Sequence, residues 1–250
     1  MKKHLYNSRL AKVKWFIQRF GAKEIFLKPV RVVFAPVVIP LLSKRTFHFD
    51  GQELSYFYHP YNMTWACERC VEVPIGRHYL SQFAARNVLE VGNVLSHYGV
   101  VAHDILDKFE RAPDVINEDI ITFTPPKKYD LVLSISTFEH IGFDDEASEP
   151  SGQKILTAIA ACRNLLSPNG KLVVTVPMGY NPDLDRLIRS GQLGSARETY
   201  LKRVERLEWN TVGKSEALSC RYKEPFPYAN AILVAEFGSL GARPSWPQQA

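Results

Sequence analysis

A glycine turn and the acidic residues that follow it have the types and spacing needed to bind a nucleotide. The apolar run at 88–91 contains Glu90 and leads into Gly92, and the acids Asp107 and Asp119 come later in the chain. A glycine lets the backbone approach a ligand closely, and a carboxylate after the second strand accepts hydrogen bonds from ribose hydroxyls. These residues predict a nucleotide-type cofactor site at the edge of an α/β sheet.

Asp107 is the candidate for the ribose contact, although it lies only 15 positions after Gly92. Sites of this shape typically place that acid about 20 residues after the glycine turn. The helix between the two strands must therefore be short. Two alternatives stay open: His103–Asp104 supplies the contact, or Asp107 is a solvated acid in a loop.

Two further segments supply elements that would position these residues. Residues 129–134 (YDLVLS) read as a buried strand, and Ser136, Glu139 and His140 follow it directly. Residues 165–177 read as a helix end, a Pro-Asn-Gly turn and another buried strand. The order of the three segments predicts a Rossmann-type sheet with a ligand site at its carboxyl edge.

Together the three segments resemble the class I S-adenosylmethionine-dependent methyltransferases over roughly residues 86–238. The resemblance implies an α/β, Rossmann-like, doubly wound and mostly parallel seven-stranded sheet with helices on both faces, and S-adenosylmethionine as the cofactor. In that family an acid contacts the adenine amine and the next apolar residue packs on its ring, which matches Asp119 and Ile120; the alternative is a plain turn. The cofactor contacts implied by the resemblance are Glu90, Gly92, Asn93, Asp107, Asp119, Ile120 and Ser136.

The sequence departs from the family's pattern in the glycine turn. Gly92 matches, but Val94 and Ser96 stand where the family usually has two more glycines. Their Cβ atoms narrow the approach to the methionine part of the cofactor, so either the pocket is reshaped or cofactor binding is lost. Asn169 replaces the first glycine of the later turn, which is a mild change because asparagine tolerates positive φ.

His140 is the candidate general base, and Glu139 is its candidate partner. Methyl transfer to a hydroxyl requires positioning of the acceptor and removal of its proton. An unperturbed imidazole, with a pKa of about 6.5, suits that task. The alternative is a structural role for His140, such as capping the following turn, and His97 and Tyr98 are second-line candidates.

Residues 46–86 form a predicted β-rich lead-in segment before the methyltransferase-like core at 87–240. Residues 46–58 alternate around Asp50–Gly51, which is a strong hairpin signal. In many methyltransferases such a segment covers the cofactor or shapes the acceptor pocket; the alternative is an aromatic cluster that simply packs. The acceptor-site candidates are Tyr61, Asn62, Trp65, Glu68 and Arg69.

The second half of the core is predicted from coarser signals. Residues 183–207 look helical and charged, with a break at 191–194. Residues 206–212 are the candidate sixth strand, and residues 231–235 are the candidate seventh. The tail at 241–250 is predicted to be flexible.

The basic charge of the chain is concentrated in residues 1–45, a predicted, partly helical arm. They hold eleven Lys or Arg and one acid, whereas the whole chain has a formal net charge of +5. Apolar residues recur between the basic ones near helical spacing, which is typical of a helix on an anionic membrane face. Lys28, Arg31 and three prolines interrupt the apolar run at 25–42, so neither a transmembrane span nor an ordinary signal peptide is predicted. The alternative is an arm that packs on its own domain or on a partner subunit; no nucleic acid is expected.

Cysteine usage indicates a reducing compartment and hence a cytoplasmic protein, peripheral to the inner face of a membrane if the arm binds lipid. The four cysteines are unevenly spaced, and Cys67 and Cys70 lack the second ligand pair that a tetrahedral zinc site needs. No metal is therefore expected. Nucleophile-elbow, P-loop and H-E-x-x-H motifs are absent from the sequence.

Two hypotheses of different classes follow. The first is an S-adenosylmethionine-dependent methyltransferase that acts on a small-molecule or glycan-precursor acceptor. Oxygen is the expected target because the Pro-Pro-Tyr/Phe signature of amide and nucleobase N-methylating relatives does not follow the strand at 129–134. The alternative is a catalytically inactive, methyltransferase-like binding or scaffold module at a membrane or protein partner. A nicotinamide-dependent oxidoreductase is disfavoured because the turn lacks G-x-G-x-x-G.

Overall fold

An eight-stranded sheet, with α-helices packed on both faces, forms the core of the molecule. The computed structural model describes residue 17 and residues 22–42, 44–84, 86–144 and 151–240. The α-helices are α1 (Ala22–Leu42), α2 (Arg69–Gln82), α3 (Ser151–Leu165), α4 (Pro182–Ser190) and α5 (Lys214–Leu218), and the 3-10 turns are η1 (Tyr61–Ala66), η2 (Leu95–Tyr98) and η3 (Phe138–His140). The strands are β1 (Thr46–Phe49), β2 (Gln52–Ser55), β3 (Val88–Val91), β4 (Asp104–Leu106), β5 (Val115–Ile116), β6 (Tyr129–Ile135), β7 (Leu166–Pro177), β8 (Arg197–Glu205), β9 (Glu208–Val212) and β10 (Ala231–Gly238).

The strands of the main sheet lie in the order β5-β4-β3-β6-β7-β10-β8-β9. β3 pairs in parallel with both β4 and β6, so that Glu90 lies between Ile105 and Leu133. The chain adds β4 and β5 on one side of β3 and then returns to add β6 and β7 on the other side. The carboxyl ends of β3 and β6 therefore form the topological switch point, where open α/β sheets bind their ligands.

The other half of the sheet is antiparallel. β10 pairs with β7 and β8 in antiparallel fashion, and β8 pairs in the same way with β9. The predicted α/β class and the strand at 231–235 are confirmed, but the sheet contains eight strands among the described residues instead of seven.

The helix predicted over 183–207 is wrong in its second half. α4 ends just before Gly191, whose φ of +72° closes the helix in the left-handed region. β8 follows, and it buries Tyr200 and Leu201 while pairing with β10. The strand predicted at 206–212 corresponds to β9, which lies outside β8 at the sheet edge. Pairing with β10, which is distant in sequence, overrides the helical propensity of the charged residues.

The predicted hairpin is confirmed, whereas the remainder of the lead-in segment is helical and not β-rich. β1 and β2 pair around Asp50 and Gly51, whose φ values are +52° and +70°. η1 and α2 occupy most of residues 61–82. The tail at 241–250 and residues 1–16 of the arm lie outside the described residues.

Successive residues of the central strands pack against helices on opposite faces of the sheet. Leu131 and Leu133 of β6 belong to the hydrophobic cluster around α2, whereas Val132 belongs to the cluster around α3. The connection from β3 to β4 contains only the 3-10 turn η2, as the short spacing from Gly92 to Asp107 predicts. The connections through β5 to β6 contain no α-helix either, so loops surround this half of the carboxyl edge.

Candidate cofactor and acceptor site

The glycine turn joins the carboxyl ends of β3 and β6. Gly92 has a φ of +89°, and a Cβ atom at this position would collide with the side chain of Thr137, which follows β6. The Gly92 N–H donates to the carbonyl of Leu106 at the end of β4 (2.8 Å). Glycine is therefore required here both by the backbone conformation and by the close approach of the neighbouring loop.

Glu90 holds the turn from beneath. Its carboxylate is fully buried, and Oε1 accepts hydrogen bonds from the N–H groups of Val94 (2.9 Å) and Leu95 (2.8 Å). Oε2 lies 2.8 Å from Nε2 of His103, the alternative contact residue. Both oxygens thus contact the protein, and the side chain of Glu90 shapes the turn.

Asp107 ties the glycine turn to the loop after β4. Its Oδ2 accepts from the N–H of Asn93 (3.0 Å), and Oδ1 accepts from the N–H groups of Phe109 (2.8 Å) and Glu110 (2.7 Å). The Asn93 side chain in turn accepts a hydrogen bond from the Ser96 hydroxyl. The structure therefore brings Asn93 and Asp107 together, and Asp107 sits at the strand end where the sequence predicts a ribose contact.

Asp119 and Ile120 follow β5, and their side chains have different environments. Asp119 Oδ2 pairs with Lys108 Nζ (2.7 Å), and Oδ1 accepts from the Ile121 N–H (3.0 Å). Burial alone would raise the pKa of Asp119, but these partners hold it below its usual range. Ile120 is buried in the hydrophobic cluster that contains Leu106.

Ser136 belongs to a buried polar cluster at the ends of β6 and β7. Its hydroxyl donates to Glu72 Oε1 (2.7 Å), and the Thr175 hydroxyl donates to the same atom (2.8 Å). Arg69 pairs with the other oxygen of Glu72. Sequence inspection did not single out Glu72; its signal was an acid on the otherwise apolar buried face of α2.

Glu139 is a buried carboxyl group with an unpartnered oxygen. Its side chain is 2% exposed. No described residue hydrogen-bonds to its Oε2. Burial raises the pKa of Glu139 to about 7, and the nearby Glu72 contributes to that increase. A buried polar atom without a protein partner is uncommon and requires an explanation, such as a bound ligand.

His140 lies between two carboxyl groups. Its Nδ1 is 2.5 Å from Asp144 Oδ2, and its Nε2 is 3.5 Å from Glu139 Oε1. The Tyr180 hydroxyl donates to the same Asp144 oxygen (2.7 Å). The imidazole is 46% exposed, so a molecule from solvent can reach it. Asp144 is not among the candidates from the sequence, and its pairing with His140 appears only in the structure.

The aromatic candidates assemble beside the segment that follows the glycine turn. Tyr61 stacks on His97 with ring centroids 4.9 Å apart, and it meets Tyr98 edge-on at 5.7 Å. The Tyr98 hydroxyl is buried and has no partner in the described part of the chain. Burial raises the pKa of Tyr98, and the charge of Arg69 opposes that increase. The charge of Arg69 also opposes the increase in the pKa of Glu139, so Arg69 is close to both groups.

The remaining acceptor-site candidates have three different environments. Asn62 is exposed, and Trp65 is buried in the core cluster around α2. Glu68 is buried and accepts from the Ala229 N–H (3.1 Å). Burial raises the pKa of Glu68, and the neighbouring Glu72 adds to that increase. Glu68, Glu72 and Glu139 are thus three buried carboxyl groups that interact electrostatically with Arg69.

The Cys67–Cys70 pair consists of two buried free thiols. Burial raises the pKa of both, to about 12 for Cys70, which disfavours the thiolate that a metal needs. A search of the described residues finds no group of three or more metal-ligating side chains.

No family model and no curated protein matches this chain. Similar solved structures include the N-methyltransferase NodS from Bradyrhizobium japonicum WM9 in complex with S-adenosyl-L-homocysteine (15% identity, 68% of this chain and 86% of that chain, TM-score 0.43). A SAM-dependent methyltransferase from Archaeoglobus fulgidus is also similar (16% identity, 67% of this chain and 95% of that chain, TM-score 0.40). So is the sugar N-methyltransferase KedS8 from Streptoalloteichus sp ATCC 53650 (13% identity, 66% of this chain and 86% of that chain, TM-score 0.34). At these identities and TM-scores, the reaction has to be inferred from the residues of the site.

Proposed function

We propose that this chain is an S-adenosylmethionine-dependent methyltransferase acting on oxygen of a small-molecule or glycan-precursor acceptor. The observation that carries the proposal is a pair of buried polar atoms near the switch point of the sheet. Glu139 Oε2, in the turn after β6, and Tyr98 Oη, in the turn after Gly92, have no partner among the described residues. Buried polar atoms of this kind are expected where a ligand completes the hydrogen bonding.

The charge of this region fits this cofactor. Glu68, Glu72 and Glu139 are buried, and all three interact electrostatically with Arg69. A positively charged ligand offsets the excess of carboxyl groups in a medium of low dielectric constant. When bound, S-adenosylmethionine supplies a methyl group on a cationic sulfonium that is already a good leaving group.

The pairing of His140 with Asp144 supports a hydroxyl acceptor. Asp144 holds Nδ1 at 2.5 Å and thereby fixes the orientation of the ring. Nε2 is then directed towards Glu139, at 3.5 Å from Oε1. A ring held in this way can remove the proton of a hydroxyl, a step that typically contributes a factor of about 10²–10⁴ to the rate. Glu139, with its raised pKa, is the candidate to share that proton.

The cytoplasm is the proposed place of action. All four cysteines of the chain are free thiols in the structure, in agreement with a reducing compartment.

Calorimetric titration tests the cofactor assignment. We expect wild-type protein to bind S-adenosylhomocysteine with a dissociation constant on the order of micromolar, a value typical of small-ligand sites. Asp107→Ala should weaken S-adenosylhomocysteine binding at least about tenfold. The reason is that the N–H groups of Asn93, Phe109 and Glu110 would lose their hydrogen-bond acceptor. Glu118→Ala is the matched control, since Glu118 is an exposed acid in the loop after β5.

The outcomes separate the two hypotheses. If folded wild-type protein binds neither S-adenosylmethionine nor S-adenosylhomocysteine, the methyltransferase proposal fails and the non-catalytic binding module replaces it. Circular dichroism of Asp107→Ala shows whether its loss of affinity reflects unfolding. Once an acceptor has been found by screening hydroxyl compounds and glycan precursors, His140→Ala with full turnover would remove His140 as the base.

A further inference from the structure

Helix α1 has an inner apolar face that packs on the body of the protein. Ala35 is buried, and Ile39 and Leu42 pack against the hydrophobic cluster around α2. Their spacing of four and three residues places them on one stripe of the helix. The inner face of α1 is therefore already partnered.

The opposite face of α1 is also apolar, and it is exposed. Val33, Val37 and Leu41, spaced four residues apart, are 72%, 63% and 76% exposed. Val30 and Phe34 extend this outer face, and their side chains are exposed as well. A helix that is apolar all round is normally covered on every side, so these side chains require a second apolar environment.

The charge of the arm identifies that environment. Residues 1–45 carry eleven basic residues and one acid, although the chain as a whole has a net charge of only +5. Two copies of such a segment repel one another, which disfavours self-association through the outer face of α1. Anionic lipid headgroups attract the same charge, at about 1 kcal/mol for each Lys or Arg near the surface.

We propose that the outer face of α1 docks on an anionic lipid bilayer and lies in its interfacial layer. None of the described helices is long and apolar enough to cross a membrane. α1 contains Pro29, Pro36 and Pro40, each of which removes a helical hydrogen bond and leaves a carbonyl that needs water or another donor. Such carbonyls are satisfied at the interface but are costly in the hydrocarbon core.

The helix that carries the docking surface lies close to the segment after the glycine turn. α1 contacts η1, and Tyr61 of η1 stacks on His97 just after the glycine turn. One short element thus separates the lipid-facing helix from the proposed cofactor site. The docking proposal does not depend on methyl transfer, and its test uses no catalytic readout.

Vesicle flotation tests the proposal directly. Full-length protein is mixed with vesicles of phosphatidylcholine containing about 30% phosphatidylglycerol, or of phosphatidylcholine alone, the anionic fraction being chosen to give a marked negative surface potential. We expect wild-type protein to float with the anionic vesicles and to be released by salt on the order of 1 M. Val33→Glu/Val37→Glu should reduce the floated fraction at least about tenfold, because two charges would enter the apolar layer.

Two control variants keep the result interpretable. Val204→Glu places one glutamate at a partly exposed valine on β8 and should float like wild type. Circular dichroism checks that the double variant is folded. The variant Lys2→Gln/Lys3→Gln/Arg9→Gln should weaken flotation without altering the apolar face.

Three outcomes would overturn the proposal. Wild-type protein could stay in solution with both vesicle types, or the double variant could float as well as wild type. The third outcome is tested by sedimentation velocity without lipid. If wild-type protein is a dimer that Val33→Glu/Val37→Glu dissociates, and if it does not float, the outer face of α1 binds a second copy of the chain.

Discussion

Two buried clusters of charged residues differ in whether their polar atoms have partners. In the antiparallel half of the sheet, Glu236 accepts from Tyr79 Oη (2.9 Å) and pairs with Lys171 Nζ (2.5 Å) and Arg197 Nη1 (3.2 Å). At the switch point, Glu139 is equally buried, yet its Oε2 has no described partner. The first cluster is completed by the protein itself, and the second has an unused hydrogen-bonding group.

This difference indicates separate roles for the two clusters. Nearly all buried polar groups in proteins are hydrogen-bonded, because an unpaired one costs about 1–3 kcal/mol. The cluster around Glu236 meets that requirement and should contribute to holding β7 and β10 together. Among the described residues the surroundings of Glu139 do not meet it, and the unused oxygen is explained if a ligand supplies the missing partner.

The largest expected effect on stability comes from a substitution in the cluster around Glu236. Glu236→Ala removes the buried carboxylate that Lys171 and Arg197 share, and breaking a buried pair typically destabilises a fold by about 3–5 kcal/mol. Arg197 keeps its ion pair with Asp50, so the loss should lie near the lower end of that range. Urea unfolding would measure the loss, with Glu205→Ala at an exposed acid of β8 as the matched control. A loss below about 1 kcal/mol would show that Glu236 does not anchor the fold.

Glu139 should make stability depend on pH in the opposite sense from an ordinary ion-paired acid. Burial raises its pKa from 4.5 to about 7 in the folded protein, so the folded state binds the proton more tightly than the unfolded state. The contribution of Glu139 to stability therefore falls as pH rises from about 4.5 to about 7, by on the order of 3 kcal/mol.

Glu139→Gln isolates that contribution because glutamine does not titrate. The variant should lack the decrease in unfolding free energy between pH 5 and pH 8 that wild type shows in urea. An identical pH profile for the two proteins would mean that Glu139 is ionised in the fold with its ordinary pKa.

The smallest predicted effect on stability concerns the loss of either of two buried tyrosine hydroxyls. Tyr79→Phe removes a donor to the Glu236 carboxylate and should cost about 1.5–3 kcal/mol. Tyr98→Phe removes a hydroxyl with no described partner and should change stability by less than about 0.5 kcal/mol. Thermal or urea unfolding of the pair suffices, and an equal loss in both variants would contradict the distinction between the two clusters.

Patterns that act over a few residues were predictable from the sequence. The Asp50–Gly51 hairpin, the strand before Gly92 and the strand at 129–134 depend on local turn chemistry and apolar periodicity. The spacing from Gly92 to Asp107 predicted only that the helix between the two strands is short, and the structure has a four-residue 3-10 turn there. β8 was the exception, because its pairing with β10 outweighs the local preference of its charged residues.

The sequence by itself determined the α/β class, the position of the glycine turn and the acids around it, because these depend on residues that are neighbours in the chain. Only the tertiary structure decided which acids became buried and what they met. Glu72 reaches Thr175 across 103 positions, and Tyr79 reaches Glu236 across 157. Such contacts leave no local pattern, since their energy comes from burial in a low-dielectric interior that exists only after the sheet and α2 have packed.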